Sequence, residues 1–206
     1  MSRPALRATY RLQLTPEFGF DAVRARIPYL RDLGISHLYL SPSLQARTGS
    51  THGYDVVDPT QISEDLGGEA AFRELADAAH AAGLGIVLDL VPNHMATDDA
   101  NRFWTDPRLR EKFFDIDKNT DPPTHRRFFD IDDLAGVRQE DPFVFERTHE
   151  LVLSVVRDGL VDGLRIDHPD GLFDPAQYLA RLQHHTGVDL EQARRMQDDR
   201  RSRLLR

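Results

Sequence analysis

Apolar side chains recur along this chain at two alternating spacings, and the alternation predicts its architecture. Residues 9–14 (TYRLQL) alternate polar and apolar groups at the period of a strand. Residues 20–33 carry apolar groups at helical spacing, with Gly34 as the stop signal. Residues 36–40 (SHLYL) read as a second strand, closed by Ser41 and Pro42. Residues 44–59, rich in Gly, Thr, Ser and His, predict a loop. Residues 69–82 form an amphipathic helical pattern ended by Gly83, and residues 84–91 (LGIVLDLV) an almost wholly apolar third strand. A further helix covers 142–159, and a fourth strand 161–167. The order β-α-β-loop-α-β-loop-α-β is the rhythm of an α/β fold with a parallel sheet. Dinucleotide-binding sheets share that rhythm, but the glycine fingerprint is missing and no phosphate-loop pattern occurs.

Two stretches break the rhythm. Residues 98–141 are rich in Asp, Arg, Pro and Phe and contain Phe-Phe-Asp-Ile-Asp twice, at 113–117 and 128–132. A polar excursion of this length after a strand is expected to be functional. The two Phe pairs read as aromatic anchors that tuck it onto the body of the domain. Residues 189–206 are polar and Arg-dense, a frayed helix or disordered tail.

Composition narrows the class. With 206 residues, 40% hydrophobic and 29% charged, one soluble globular domain is expected. A net charge of −8 argues against a nucleic-acid or anionic-membrane partner. There is no Cys, hence no disulfide framework or thiolate chemistry. The first residues lack the apolar core of a signal peptide and no stretch suits a bilayer span, so a cytoplasmic location is the default expectation.

The candidate chemistry sits where two apolar runs end in polar groups. One ends Asp89-Leu90-Val91-Pro92-Asn93-His94; the other reads Gly163-Leu164-Arg165-Ile166-Asp167. Buried parallel strands deliver catalytic side chains in this way at their C-terminal ends. Arg165 and Asp167, two residues apart, share one face of the strand, and a carboxylate beside a guanidinium stays ionised. A positioned, ionised Asp suits the nucleophile of a retaining glycosidase, whose second carboxyl group stands about 5–5.5 Å away. Taken singly, Asp89 or Asp167 reads equally as a structural ion pair with Arg165. His184 and His185 invite a metal reading, but neighbours on a helix point apart.

Five segments carry a resemblance: TYRLQL, SPSLQARTGSTHGYDVVDP, GLGIVLDLVPNHMA, RRFFDIDDLAGVRQEDP and DGLRIDHPDGL, in this order over roughly residues 7–188. Together they resemble glycoside hydrolase family 13, the α-amylase family. The likeness is strongest to its intramolecular transglucosylases, which turn the reducing-end α-1,4 linkage of malto-oligosaccharides into an α,α-1,1 linkage. The resemblance implies that Asp167 is the nucleophile, with Arg165 orienting it and Asp89 holding Arg165. It implies that His52, Tyr54, Asn93, His94 and His168 shape the glucose subsite, Tyr54 by stacking and Asn93 by bracing the neighbouring loop.

A complete (β/α)8 barrel takes about 250 residues. The expected fold is therefore α/β, the N-terminal half of such a barrel: about four β/α units with a long loop after strand 3, over residues 1–188. The family's proton-donating Glu, after the fifth strand, and its His-Asp pair, after the seventh, have no counterpart in the sequence. In the similar transglucosylases a long insert separates the two FFDID segments; here only residues 118–127 lie between them. The chain alone is thus expected to be inactive and marginally stable, and to associate with itself or with a complementary half barrel. No cofactor is expected. Some family members hold Ca²⁺ near the position of Asn93, but the rest of that site is not found, so no metal is assigned. Two alternatives remain open: an α-glucan hydrolase of the same family, and a non-catalytic glucan-binding half barrel or half of a split enzyme.

Overall fold

The computed structural model describes residues 5–121 and 123–187, so the tail at 189–206 lies outside the described residues. The body begins with β1 (Thr9–Leu12), α1 (Phe20–Arg24), α2 (Ile27–Asp32) and β2 (His37–Leu40). The single helix expected over 20–33 is broken because Pro28 lacks an N–H and its ring clashes with the carbonyl four residues earlier, on Arg24, where α1 stops. Gly34 ends the second segment at φ 83°.

Residues 44–59 are not a plain loop. They hold β3 (Leu44–Ala46) and the start of β4 (Val56–Ile62), an antiparallel pair. Only the Gly/Ser/Thr stretch between them turns, and the register slips on either side of the Gln45–Asp58 pair, with Pro59 in the longer bulge. A short 3₁₀ turn leads into α3 (Gly68–Ala81), followed by β5 (Gly85–Leu90) and β6 (His94–Ala96).

The excursion is built, not irregular. It comprises α4 (Arg102–Thr105), α5 (Pro107–Phe113), β7 (Ile116–Asp117), β8 (Thr124–His125), β9 (Arg127–Phe128) and β10 (Ile131–Gly136). Side chains of Asn101 and Asp106 cap its two helices by accepting from the first free backbone N–H groups. β10 pairs antiparallel with β6 and β9, which folds the excursion back over the end of β5. Then follow α6 (Pro142–Arg157), β11 (Gly163–Ile166) and α7 (Pro175–Thr186), α6 and α7 each opened by an Asp-Pro cap.

The central sheet has the order β1-β2-β5-β11, all parallel. Period two divides its residues between faces. Leu38, Leu40, Ile86, Leu88 and Leu90 point one way, into a core with Phe72, Leu75, Val152 and Val155 of the helices. Arg11, Tyr39, Val87, Asp89 and Arg165 point the other way, onto the face that lines a barrel's interior, where Tyr39 and Val87 are only half buried. Among the described residues the sheet does not close, and β1 and β11 each have one hydrogen-bonded neighbour. This is a four-unit, open portion of a (β/α)8 barrel, as expected.

Candidate active site

Register builds the site. Arg165 on β11 lies directly beside Asp89 on β5, and Arg11 on β1 beside Tyr39 on β2. All four share the interior face near the C-terminal ends of their strands. Asp89, fully buried, accepts from three donors: the hydroxyls of Tyr39 and Tyr54, each 2.8 Å from Oδ2, and Arg165 Nη1, 2.9 Å from Oδ1. The same Nη1 donates to Oδ1 of Asp167, which is nearly buried itself. Arg165 therefore bridges two buried carboxylates, one on β5 and one just past the end of β11. Arg11 extends the chain of contacts, donating to the Tyr54 hydroxyl at 3.3 Å and lying over the Tyr39 ring.

Charge follows from these contacts. Burial opposes the charge on Arg165, but hydrogen bonds and attraction from Asp89 and then Asp167 outweigh it and hold its pKa above the ordinary guanidinium value. Burial, then the hydrogen bond to Asp89, push the Tyr39 phenol up to about 12, and burial raises that of Tyr54. Both phenols are thus held protonated as donors to a carboxylate.

The remaining predicted residues surround this core unequally. His94 is 1% exposed; its Nε2 lies 3.2 Å from the Tyr54 carbonyl oxygen and its Nδ1 has no partner among the described residues. Burial lowers its pKa to about 4, so the ring is neutral at pH 7. Phe128 of β9 lies over it, ring centroids 3.9 Å apart. His168, with φ 44°, meets Phe128 and Phe129 edge-on, and Phe129 has φ 52°. Left-handed backbone at two bulky residues facing each other is strain held by the packing around them. His52 stands at the rim, accepting the Tyr54 N–H at 3.0 Å and stacking loosely on its ring. Asn93 does not face Asp167. It turns to the excursion, where Arg126 Nη1 approaches its Oδ1 at 3.4 Å and donates to the Gly171 carbonyl at 3.2 Å. Gly136 and Gly171 permit this: a Cβ on either would lie 2.4 Å from Arg126 Cζ or 2.9 Å from Asn93 Oδ1.

Sequence reasoning missed Tyr39, Arg11, Phe128 and Arg126 as neighbours of the site. For Arg11 and Tyr39 a signal existed, since both are polar groups on the interior register of otherwise apolar strands. The two FFDID copies are not equivalent anchors. Phe113 and Phe114 are buried as expected, whereas Phe128 covers His94 and Phe129 is 69% exposed. Replacing Phe128 by Ala is expected to hydrate His94 and raise its pKa from about 4 toward 6.5. An NMR titration of the ring nitrogens reads this directly, and an unmoved pKa would show that Phe128 is not what keeps His94 dry. Among the described residues no group of three His, Asp or Glu is arranged to hold a metal, and His184 and His185 sit in the last turn of α7.

Arg165 thus ties Asp89 and Asp167 together on the interior face, at the C-terminal ends of two adjacent parallel strands. Residues 19–172 match the family model for the alpha-amylase catalytic domain, and the chain belongs to that family. It is 36% identical, over 87% of its length, to a Mycobacterium tuberculosis protein provisionally named maltooligosyl trehalose synthase, and covers 33% of that protein. The match runs over 253 positions, more than this chain's 206 residues, so the relative carries residues within the matched span that this chain lacks. The structure of maltooligosyltrehalose synthase from Arthrobacter ramosus superposes with a TM-score of 0.82 at 35% identity, over 87% of this chain and 33% of that one. A protein of Sulfolobus tokodaii titled a hypothetical maltooligosyl trehalose synthase gives 0.81 at 35% identity, over 89% and 34%. The chain thus spans about a third of the length of the relatives it matches.

Proposed function

We propose that this site serves retaining transglucosylation of malto-oligosaccharides, the conversion of a reducing-end α-1,4 linkage into an α,α-1,1 linkage. The observation that carries the reading is the Arg165 bridge, which aims Asp167 from the interior face while Asp89 is tied down by three donors. In this reading a carboxylate oxygen of Asp167 attacks the anomeric carbon of the penultimate glucose. The bond from that carbon to O4 of the terminal glucose breaks as O4 takes a proton from a general acid. The terminal glucose then turns, and its anomeric hydroxyl attacks the glucosyl-enzyme. Its proton returns to the acid, Asp167 is released, and the reaction is redox-neutral. Tyr54, His52 and His168 position the sugar, His94 beneath Phe128 acts through the Tyr54 backbone it contacts, and Asn93 fixes the loop carrying His168.

Asp89, fully buried and accepting from three donors, is unfit to protonate a sugar oxygen. The 206-residue chain alone is accordingly proposed to be inactive, and the test is made in a whole enzyme. Residues 5–187 are placed into the Arthrobacter ramosus synthase in place of its matching third, and the chimera is incubated with maltohexaose. The expected product has the anomeric NMR signature of an α,α-1,1 linkage. Asp167→Asn should lower kcat by about 10³-fold or more, as loss of a group acting directly on the transition state does. Release of glucose or maltose instead would assign the site to hydrolysis. Tight glucan binding with no turnover would make it a binding module.

A further inference from the structure

A wide cleft among the described residues lies apart from Asp167. It lies behind Arg126, between the excursion and the loop that follows Asp167, and encloses about 570 Å³. Its walls carry three cations and three carboxylates, matched in pairs. Lys118 Nζ is 3.1 Å from Glu111, Arg126 Nε 3.2 Å from Asp115, and Arg138 Nε 3.3 Å from Glu140. Phe114 and Leu172 are buried beside it, while Phe173 stands on its rim 84% exposed, the most exposed of the large apolar side chains in the described residues.

The lining selects a class of ligand. Each charge is neutralised by its neighbour, so the cleft exerts little net attraction on an anion or a cation, and an ionic ligand would have to break a pair to be held. What remains is a dense set of donors and acceptors beside a bare aromatic face. A neutral polyhydroxylated molecule uses both: its hydroxyls donate to carboxylates and accept from guanidinium N–H groups, and its C–H face packs on the ring. The volume falls in the range of about 300–1,000 Å³ typical of small-ligand sites.

We infer that this cleft is a second saccharide site, which holds a stretch of α-1,4-glucan against Phe173. The choice of α-glucan rests on the function proposed above; the choice of a neutral saccharide does not. Arg126 links the two sites, because the guanidinium that forms the cleft wall also contacts Asn93 and the Gly171 carbonyl. Gly171 lies in the 3₁₀ turn (Pro169–Gly171) that follows His168. A glucan seated on Phe173 is therefore separated from the Asp167 site only by that turn.

The test is an amide NMR titration of the ¹⁵N-labelled 206-residue chain with maltohexaose, and in parallel with cellohexaose and inorganic phosphate. The inference expects saturable shifts at 114–118 and 171–173 with maltohexaose and none with phosphate. Phe173→Ala should weaken these at least ten-fold, and Phe173→Tyr should retain them. Shifts at Tyr54 and His94 should be unaffected by Phe173→Ala, whose unchanged spectrum elsewhere shows that it folds. Response of the cleft to cellohexaose but not maltohexaose would sink the α-glucan reading and leave the saccharide site standing. A cleft silent to both sugars, responsive to phosphate, or indifferent to Phe173→Ala would overturn the inference, whatever happens at Tyr54.

Discussion

Acidification from pH 7 to pH 4 is expected to remove about 6 kcal/mol of stability, a large share of the about 5–15 kcal/mol that a folded domain possesses. Two buried imidazoles cause it. His149 on α6 is sealed between α6 and α7, with Nδ1 2.9 Å from the Phe145 carbonyl and Nε2 2.8 Å from the Tyr178 hydroxyl. Burial lowers its pKa to about 4; the Phe145 carbonyl partly opposes this, and the charges of His185 and Arg181 add to it. His94 beneath Phe128 is lowered to the same level by burial, with His168 and Arg126 adding to the effect and the Tyr54 carbonyl and Asp55 opposing it. In the unfolded chain both titrate near 6.5. Above that pH both states are neutral and nothing is lost. Below it the unfolded chain binds protons that the folded one refuses, so stability falls until pH reaches about 4. Each histidine contributes about 3 kcal/mol over that window. Urea unfolding at half-unit pH steps measures the slope. His149→Gln, which keeps a neutral hydrogen-bonding group in place, should remove about half of it. A flat profile between pH 6.5 and 4.5 would mean that these rings are solvated or protonated in the fold.

Asp89→Ala is expected to cost about 3–5 kcal/mol at pH 7, the loss typical of removing one partner of a buried pair. Three donors lose their acceptor together: the Tyr39 and Tyr54 hydroxyls, and Arg165 on its Asp89 side. Arg165, 43% exposed, recovers part of its loss from water, whereas the two phenols are half buried and recover less. Asp89→Asn keeps the volume and one acceptor oxygen but turns an NH₂ toward donors, so about 2 kcal/mol is expected. Midpoints of urea denaturation compare the three proteins. A cost under 1 kcal/mol for the Ala variant would show that Asp89 does not organise the strand ends. If it does, the same substitution frees Arg165 from β5 and leaves Asp167 without a fixed aim. In the chimeric enzyme kcat should then fall while KM changes little.

The strand-helix rhythm was legible because burial on the outer face needs apolar residues at fixed periods, and β2, β5 and β11 carry them. The pairing of Arg165 with Asp167 was legible too, since a two-residue spacing keeps both on one face of a strand. The place of Asp89 beside Arg165 came from the family resemblance alone. No local rule, however, states that Asp89 lies beside Arg165 from a strand some 76 positions later. That is a matter of sheet order and register, which long-range packing decides.

The same division explains what was misread. Pro28 broke a helix whose apolar periodicity ran straight through it, a local signal that the hydrophobic pattern masked. The β3-β4 pair was hidden because its residues look like loop until each finds the other. Asn93, His94 and Phe128 show the limit most plainly. The motif brought Asn93 and His94 to the right strand end, but only tertiary contacts turned Asn93 toward Arg126 and laid Phe128 over His94. The sequence by itself determined the strands of the central sheet, their buried outer face and which polar groups reach the strand ends. Tertiary structure alone decided which of them meet, which are sealed from water and which remain open to a ligand, because those outcomes depend on groups far apart in the chain.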